Sequence, residues 1–389
     1  MTIVEIYDSE PVNNVVASLA LKPDKLVFLC NKQKKPSDKE ISNLRAFFSS
    51  ALKGLEISFQ EFSHLDFTGI IKIFEEISAN NNDVIFELTG GYEPAIMAAS
   101  NFCLERNIPC FYLDYNEKNP LVALTPLPFS EISMPRLTID QILLLNGCQK
   151  RHHGHIQMDI NNREQASDLL KIVDIALNDK YAWRNLIRYF QFVSKDTREE
   201  MNFHSRYKIK ASKNNEIFIH PKIMDSLDKK GLISINKKLS TSDIVHFRFK
   251  NEMVKGLLKS DGFWLEFYTY YMAGRINYFD EIAMSSIIDW NYDSKNLRDP
   301  INEIDLILVR GITPIFISCK TSVPSAFDLY EIKSLAEKFG GSMAKAVLVT
   351  SSDLNSNKSY FVRARELNIR IIEKSSLSEG IFSYVLKQL

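Results

Sequence analysis

The segment "NEIDLILVRGITPIFISCK" (residues 302–320) holds two acids two positions apart, an apolar run, a glycine, a second apolar run and a final lysine. The two runs, 304–309 and 314–319, are rich in β-branched and apolar residues. Between them stands Arg310-Gly311-Ile312-Thr313, a glycine-containing turn that predicts a β-hairpin.

The register of this hairpin would gather polar side chains at one end. If the hairpin is symmetric about Gly311-Ile312, Asp305 lies opposite Ser318, and Glu303 lies opposite Lys320. Opposed residues and residues two apart share a face of an antiparallel pair. Two carboxylates beside an ammonium suit a divalent ion of the magnesium or manganese type, with the lysine near a phosphate. The alternative is a solvated strand end closed by a Glu–Lys pair.

Length and composition describe an ordinary globular protein of two or three domains. The chain has 389 residues, of which 45% are hydrophobic and 25% charged. Lysine plus arginine equals aspartate plus glutamate at 48 each, so any nucleic-acid contact must come from local patches. Five cysteines without CxxC pairing favour reduced thiols. With no signal peptide and no apolar stretch of about 20 residues, we expect a cytoplasmic protein and no membrane contact.

The order of predicted elements divides the chain into three regions, and the fold class is α/β. Residues 1–128 alternate strand and helix, which predicts a doubly wound, mostly parallel Rossmann-like sheet. Residues 129–250 begin with long helices and end in short strands, which predicts a winged-helix-like bridging region. Residues 251–389 alternate again and contain the hairpin.

The C-terminal region resembles the restriction-endonuclease-like PD-(D/E)xK nucleases. The resemblance rests on the order helix, strand, turn, strand, helix, strand and on three residues. These are Glu266 in "GFWLEFYTYY", Asp305 in "NEIDLI" and Lys320 in "ISCK". It covers about residues 250–389.

One position departs from that pattern, because the acid usually found two residues before the lysine is Ser318 here. Some members carry S-x-K and place the missing carboxylate on the next helix. Glu331 in "FDLYEIKSL" and Glu303 are the two candidate replacements, and Glu331 could instead be a solvent-facing acid.

The resemblance implies a metal-dependent endonuclease. Glu266, Asp305 and a third acid, Glu331 in our assignment, would hold Mn²⁺ or Mg²⁺, which lowers the pKa of an attacking water. Lys320 would orient that water or offset charge on the phosphate. Substrate could be DNA or RNA. A second metal candidate, the histidines of "RHHGH" (151–155), lacks matching ligands and is better explained as an exposed linker.

A glycine turn marks a second candidate site in the N-terminal region. In "ELTGGYEPAIMAASNF" a strand leads through Thr89, Gly90 and Gly91 into a helix. Parallel sheets bind ligands at the carboxyl ends of their strands, and such a turn offers backbone N–H groups to a phosphate. A merely tight connection is the alternative.

With the polar tips "YDSEP" and "CNKQ" after the first two strands, this turn resembles CARF domains, the cyclic-oligoadenylate sensors of CRISPR defence. Where members often have Thr-Lys after the glycines, this chain has Tyr92-Glu93, so Lys32 is a candidate for restoring positive charge. Asp8, Ser9 and Asn31 are candidates for contacting adenine or ribose, or are solvated loop tips.

The pairing of both regions resembles CRISPR-associated ancillary nucleases of antiviral defence. That resemblance implies a homodimer that binds one cyclic oligoadenylate, cyclic tetra-adenylate being the ring we expect, across its two-fold axis. Two rivals stay open. One is a nonenzymatic CARF-type regulator with a decayed nuclease domain, favoured by Ser318. The other is a restriction-type nuclease that needs no second messenger.

Overall fold

A computed structural model provides the structure of this chain. It describes residues 1–63, 66–151, 159, 161–195, 200–212, 215–292, 300–354 and 358–389. Within these residues, no helix combines the length and hydrophobicity needed to cross a membrane.

The N-terminal region is a six-stranded sheet flanked by helices on both faces, as predicted. Its strands are β1 (Thr2–Ile6), β2 (Lys25–Asn31), β3 (Glu56–Phe62), β4 (Val84–Glu87), β5 (Cys110–Leu113) and β6 (Leu121–Ala123). The spatial order is β3-β2-β1-β4-β5-β6, with only β6 antiparallel. This order reverses direction between β1 and β4, which is where open α/β sheets bind ligands.

Two helical layers cover this sheet. The helices are α1 (Val16–Leu21), α2 (Asp38–Ala51), α3 (Phe67–Asn80) and α4 (Glu93–Arg106), and a short 3₁₀ turn (Pro11–Asn14) precedes α1. Helices α1 and α2 share a core with one face of the sheet, and α3 and α4 share a core with the other. Ser37 and Glu40 form a capping box that fixes the start of α2.

The middle region consists of helices followed by small antiparallel sheets. Its elements are α6 (Arg163–Asn178), α7 (Lys180–Val193), β8 (Asn202–Arg206), β9 (Lys208–Ser212), β10 (Asn215–Phe218), α8 (Pro221–Lys229), β11 (Ile233–Ile235), β12 (Ile244–Phe249) and α9 (Glu252–Leu257). Strands β11, β12 and β8 pair in that order, and β9 pairs with β10. Helix α8 directly precedes the β11–β12 hairpin. The winged-helix-like assignment stays a prediction.

The C-terminal region is a mixed six-stranded sheet. Its elements are α10 (Phe263–Arg275), β13 (Glu281–Asp289), β14 (Ile301–Arg310), β15 (Thr313–Lys320), α11 (Ala326–Gly340), β16 (Lys345–Thr350), α12 (Lys358–Glu366), β17 (Ile369–Ile372) and α13 (Glu379–Leu386). The hairpin register is confirmed, because Arg310 pairs with Thr313 and Leu306 with Ile317. Alternate side chains face α10 on one side and α11 on the other.

A segment before the bridging helices joins this last sheet, which the sequence did not predict. Helix α5 (Ile139–Leu145) leads into β7 (Gln149–Arg151), and β7 pairs antiparallel with β13. Arg151 reinforces the pairing by donating to the buried Asp289 carboxylate at 2.6 Å. One continuous core contains α1, α2, α5 and α11, so the N-terminal and C-terminal regions are packed directly against each other.

Candidate active site and glycine-turn site

Asp305 lies where two strands of the C-terminal sheet separate. The ladder between β14 and β15 stops at Leu306 and Ile317, one residue before Asp305. The Cys319 backbone N–H donates to Asp305 Oδ2 at 2.6 Å, and Ser318 Oγ lies 3.5 Å from the same oxygen. A backbone hydrogen bond thus orients Asp305 between the strands, and the Ser318 hydroxyl supports the same carboxylate oxygen.

Glu266 lies in the first turn of α10. The aromatic residues on either side of it belong to the core. Trp264 and Tyr268 are buried, as the sequence predicted. Ser285 Oγ lies 3.4 Å from Glu266 Oε2. Burial raises the pKa of Glu266 to about 8, and the charges of Asp305 and Glu303 add to the rise.

A local interruption of the β13–β14 ladder, opposite Asp305, places Ser285 beside Glu266. The β13–β14 register skips Ser285, since Met284 pairs with Leu306 and Ser286 with Ile304. Ser285 adopts φ +47°, a left-handed conformation that is uncommon for residues other than glycine.

Lys320 ends β15 with its ammonium held by an acid of the next helix. Its Nζ lies 3.2 Å from Asp328 Oδ1. Asp328 Oδ2 also accepts from the backbone N–H and the hydroxyl of Ser325, at 2.6 and 2.7 Å, which caps α11. Burial alone would lower the pKa of Lys320, but the bond to Asp328 and the charges of Asp305 and Glu331 together raise it. The lysine therefore stays charged.

A small cavity of about 120 Å³ opens between β14, β15 and α11. It is lined by Glu303, Asp305, Ser318, Lys320 and Glu331, with apolar walls from Ile304, Ile317, Ile332 and Leu335. The predicted acids and lysine of the hairpin are therefore brought together with Glu331. Glu266, on α10, is close enough for the charges of Asp305, Glu303 and Lys320 to shift its pKa.

The carboxylate oxygens of this site are the ligand type that a divalent ion prefers, but they do not yet converge on one point. Among the described residues, no three acidic, histidine or cysteine side chains converge closely enough to hold a metal. Burial raises the pKa of Asp305, with Glu303 adding to the rise, while the Cys319 N–H and Lys320 oppose it. Carboxylates that repel one another in this way would be drawn together by a cation. The histidines 152, 153 and 155 lie outside the described residues.

Sequence reasoning missed Asp328 as the partner of Lys320. Ser325 and Asp328 form the S-x-x-D pattern of a helix cap, and sequence reasoning therefore assigned Asp328 no role other than capping α11. In the structure one carboxylate serves both purposes, with Oδ2 on the cap and Oδ1 on the lysine. The spacing of eight residues from Lys320 was the available signal.

The glycine turn of the N-terminal region is tied to the loop after β1. The Gly91 N–H donates to Asp8 Oδ2 at 2.9 Å, and Asn13 Nδ2 donates to the same oxygen at 3.1 Å. A Cβ at Gly90 would collide with the Asp8 carboxylate, and Gly91 adopts φ +110°. The expectation that this turn presents its N–H groups outward is therefore wrong for Gly91, because Asp8 already occupies that donor.

The other predicted ligand residues lie at the same sheet edge. Asn31 is buried and its Oδ1 accepts from the Gln33 N–H at 3.0 Å, which shapes the turn after β2. Thr89 donates through its N–H and its hydroxyl to Glu87 Oε1. Ser9 and Lys32 are exposed. Contacts of these side chains with a ligand stay a prediction.

Two buried carboxyls, Glu5 and Glu87, stand side by side beneath this edge. They are register partners on the parallel strands β1 and β4. Burial raises the pKa of Glu5, and the Glu87 charge raises it further. Burial also raises the pKa of Glu87 to about 7, against the hydrogen bonds from Thr89 and with help from the Asp8 charge. The folded state therefore holds protons that the unfolded chain releases near its ordinary carboxyl pKa.

The free energy of unfolding of the wild type should fall as pH rises, and replacing Glu87 with glutamine should remove part of that fall. Because the folded pKa is raised, the folded state binds the proton more tightly, and wild-type stability falls as pH rises from about 4.5 to above 7. We expect E87Q to gain on the order of 2 kcal/mol relative to wild type between pH 5 and pH 8. Urea denaturation at both pH values measures this gain.

The exposed Glu117, changed to glutamine, is the matched control for that comparison. It should follow the wild-type pH dependence. If the free energy of unfolding changed by the same amount between pH 5 and pH 8 in E87Q and wild type, the raised pKa of Glu87 would be contradicted.

Helix α11 connects the two sites physically. Its first turns carry Glu331, which lines the cavity, and Asp328, which pairs with Lys320. Its far end passes through Gly341 to Ser342. The Ser342 N–H donates to Glu10 Oε2 at 2.8 Å, and Glu10 belongs to the same loop as Asp8. A Cβ at Gly341 would collide with the Glu10 carboxylate, so the close approach depends on glycine.

A comparison with protein-family models finds a match in the C-terminal region. Residues 254–383 match the family model described as "Card1-like, endonuclease domain". The matched segment contains Glu266, Asp305, Lys320 and Glu331, the residues singled out by the PD-(D/E)xK resemblance. The nuclease prediction for this region is thus confirmed at the level of the domain.

Solved structures match the fold over the whole chain. Protein VC1899 from Vibrio cholerae superposes with a TM-score of 0.73 at 17% identity, covering 100% of this chain and 97% of its own. Can2 from Sulfobacillus thermosulfidooxidans, solved in complex with cyclic tetra-adenylate, gives a TM-score of 0.70 at 17% identity, with coverage of 99% and 97%. No curated protein sequence matches this chain at a significant level.

Proposed function

We propose that this chain, whose residues 254–383 form a Card1-like endonuclease domain, is a CRISPR-associated ancillary nuclease activated by a cyclic oligoadenylate. One observation carries the catalytic part: Asp305, Lys320, Glu303 and Glu331 line a single cavity inside the matched domain. The activator class is proposed from the full-length likeness of fold to Can2, which was solved with cyclic tetra-adenylate.

The reaction we propose is hydrolysis of a phosphodiester bond. Glu266, Asp305 and either Glu331 or Glu303 would hold Mn²⁺ or Mg²⁺, which supplies an acidified water and charge neutralisation. Asp305 is oriented for this task by the Cys319 N–H. Lys320, kept charged by Asp328, offsets the negative charge that grows on the phosphate as the P–O bond breaks and the leaving oxygen takes up a proton.

The activator is proposed to bind at the edge where β1 and β4 meet. A phosphate that uses the Gly91 N–H has to displace Asp8, and this exchange would move the loop that carries Glu10. Two copies would share one ring about a two-fold axis. Helix α4, which follows the glycine turn, leaves Met97 71% and Leu104 57% exposed and so offers apolar surface for such a pairing.

A cleavage assay with defined substrates tests the proposal. Labelled single-stranded RNA, single-stranded DNA and supercoiled plasmid are incubated with Mn²⁺ or Mg²⁺, with and without cyclic tetra-adenylate or cyclic hexa-adenylate. We expect cutting to require the metal and to accelerate roughly 5- to 150-fold with the correct ring. A thermal-shift titration reports ring binding independently, since a ligand of the native state raises Tm.

The outcomes separate the rival functions. Cutting at the same rate without any ring would point to a restriction-type nuclease. Ring binding without cutting on any substrate would point to a nonenzymatic regulator. If the protein neither binds a ring nor cuts any substrate, the proposal is refuted altogether.

A further inference from the structure

The three-stranded sheet of the middle region concentrates positive charge on one face. Its strands β8 ("NFHSR"), β11 ("ISI") and β12 ("IVHFRF") contain four basic residues and no acid. Side chains two apart on a strand share a face, and all four basic residues lie on the face opposite the buried Phe203, Phe247 and Phe249. We call this set the basic face, and its members are His204, Arg206, His246 and Arg248. All are exposed except His246, which is half-buried.

Strand register places the two arginines on either side of a histidine pair. His204 lies directly opposite His246, and the two imidazole rings stack with centroids 5.2 Å apart and planes inclined by 17°. Arg206 follows His204 by two residues and Arg248 follows His246 by two, on antiparallel strands. The arginines therefore stand at opposite ends of the pair, four residues or about 14 Å apart along the strand direction.

The charge of the basic face is not neutralised within the sheet. Among the described residues, neither Arg206 nor Arg248 forms an ion pair with a carboxylate, whereas Lys208, Lys230 and Lys250 of the same region each do. The chain as a whole carries equal numbers of basic and acidic residues, so this patch is a local excess. Such an excess attracts a polyanion.

The other face of the sheet fixes the patch relative to the nuclease domain. Phe247 and Phe249 belong to the same hydrophobic core as Trp264 and Leu265 of α10. Glu266, the candidate metal ligand on that helix, is the next residue along the chain. Because both elements pack into one core, a molecule held on the basic face has a defined position relative to Glu266.

The chemistry of the basic face fits a phosphate backbone. The guanidinium group of arginine binds phosphate through two parallel hydrogen bonds, and imidazole N–H groups can donate to phosphate oxygens as well. Basic residues clustered on one face are the electrostatic footprint of nucleic-acid binding. The distance of about 14 Å between the arginines spans about four phosphates at 3.4 Å per nucleotide.

We propose that His204, Arg206, His246 and Arg248 form a second nucleic-acid contact surface, outside the catalytic cavity, that holds the backbone of the substrate while its scissile bond occupies that cavity. This inference rests on the proposed function, because it takes the polyanion to be the substrate of the nuclease. None of the four residues lines the cavity between β14, β15 and α11. They therefore contribute to substrate affinity and not to the chemical step.

Salt dependence of binding tests the arginines without cleavage. The affinity for a labelled single strand and for its duplex is measured by fluorescence anisotropy at several salt concentrations, in EDTA to withhold the metal. Each phosphate contact contributes about −0.7 to the slope of log K against log salt for a single strand and about −0.9 for a duplex. The variant R206A/R248A should therefore make the slope less negative by about 1.4 or 1.8. H204A/H246A should weaken binding about 2- to 12-fold for each hydrogen bond lost.

Two control variants make the result specific to this face. R206K/R248K keeps both charges and should keep the wild-type slope. K222A/K229A removes two exposed lysines from α8, a helix that packs against the buried side of the sheet. It changes the net charge as much as R206A/R248A does but should leave the slope unchanged.

Substrate length separates the basic face from the cavity in the active protein. A strand of several tens of nucleotides can contact both sites, whereas a trinucleotide fills only the cavity. R206A/R248A should raise KM for the long strand with kcat unchanged, and should leave both constants for the trinucleotide unchanged.

Three results would overturn the proposal. One is an unchanged salt slope and an unchanged KM in R206A/R248A. Another is an equal loss of activity on the long strand and the trinucleotide, which would place the arginines at the chemical step. The third is a loss of dimer mass in light scattering on R206A/R248A, which would make the face an interface between copies. Failure of the nuclease proposal would appear separately, as wild-type protein that binds nucleic acid with the expected salt slope but cuts none.

Discussion

Replacing Lys320 with alanine is expected to lower the cleavage rate about 10²- to 10³-fold while leaving the fold intact, a range typical for removing one charge-stabilising group from an active site. The side chain ends β15, lines the cavity and contributes no apolar packing to the core. Its loss removes the positive charge nearest to the proposed phosphate. Initial rates with saturating metal and activator measure the effect.

The stability cost of this change should be small. Asp328 loses its ion pair with Lys320 but keeps both bonds from Ser325, so the cap of α11 survives. We expect a loss of no more than about 1 kcal/mol, as for other partly exposed pairs. Lys333→Ala is the matched control, because Lys333 lies on α11 and pairs with Glu337 on its surface. Full activity in K320A would show that the phosphate binds elsewhere.

Replacing Asp305 with asparagine should greatly weaken metal binding and abolish cleavage. Asparagine has the same shape and its carbonyl oxygen can still accept the Cys319 N–H, so the strand geometry is kept while the charge is lost. Changes outside the ligand shell commonly cost 10- to 100-fold in metal affinity, so loss of a ligand should cost about 100-fold or more. Calorimetric titration with Mn²⁺ measures this without reference to turnover.

The same experiment can assign the third acid. Glu303→Gln on β14 and Glu331→Gln on α11 each remove one acid that lines the cavity, and only one of the two changes should approach the effect of D305N. D305N should also lower the pKa of Glu266, because the Asp305 charge helps to raise it. Retention of wild-type Mn²⁺ affinity in D305N would exclude Asp305 as a ligand.

Features with a local signal could be predicted from the sequence. The hairpin register followed from two apolar runs around Gly311, which adopts φ +60° as such a turn requires. The alternation of the first 125 residues gave the strands and helices of the N-terminal sheet. Among the candidate catalytic residues, Glu303, Asp305 and Lys320 followed from strand periodicity once the hairpin register was set. Glu266 and Glu331 followed only from the resemblance to PD-(D/E)xK nucleases.

Features that depend on distant partners could not be predicted. Asp8 contacts Gly91 across 83 residues, and only the assembled sheet brings the two loops together. Strand β7 has three polar or charged residues and becomes a strand only because β13 offers an edge. The interruption of the ladder at Ser285 has no glycine to signal it, although φ +47° is a conformation that glycine adopts most readily.

In the proposed activation, helix α11 would couple the two sites in both directions. It spans 15 residues, about 22 Å, between the cavity and the loop of Glu10. If the activator raises the affinity of the cavity for metal and nucleic acid by favouring the working position of Glu331, the coupling is reciprocal. Metal and nucleic acid in the cavity then raise the affinity for the activator by the same factor. A molecule engaged on its substrate would therefore hold its signal longer than an idle one. As the messenger is cleared from the cell, idle copies would switch off first, and those still bound to nucleic acid would be the last to stop.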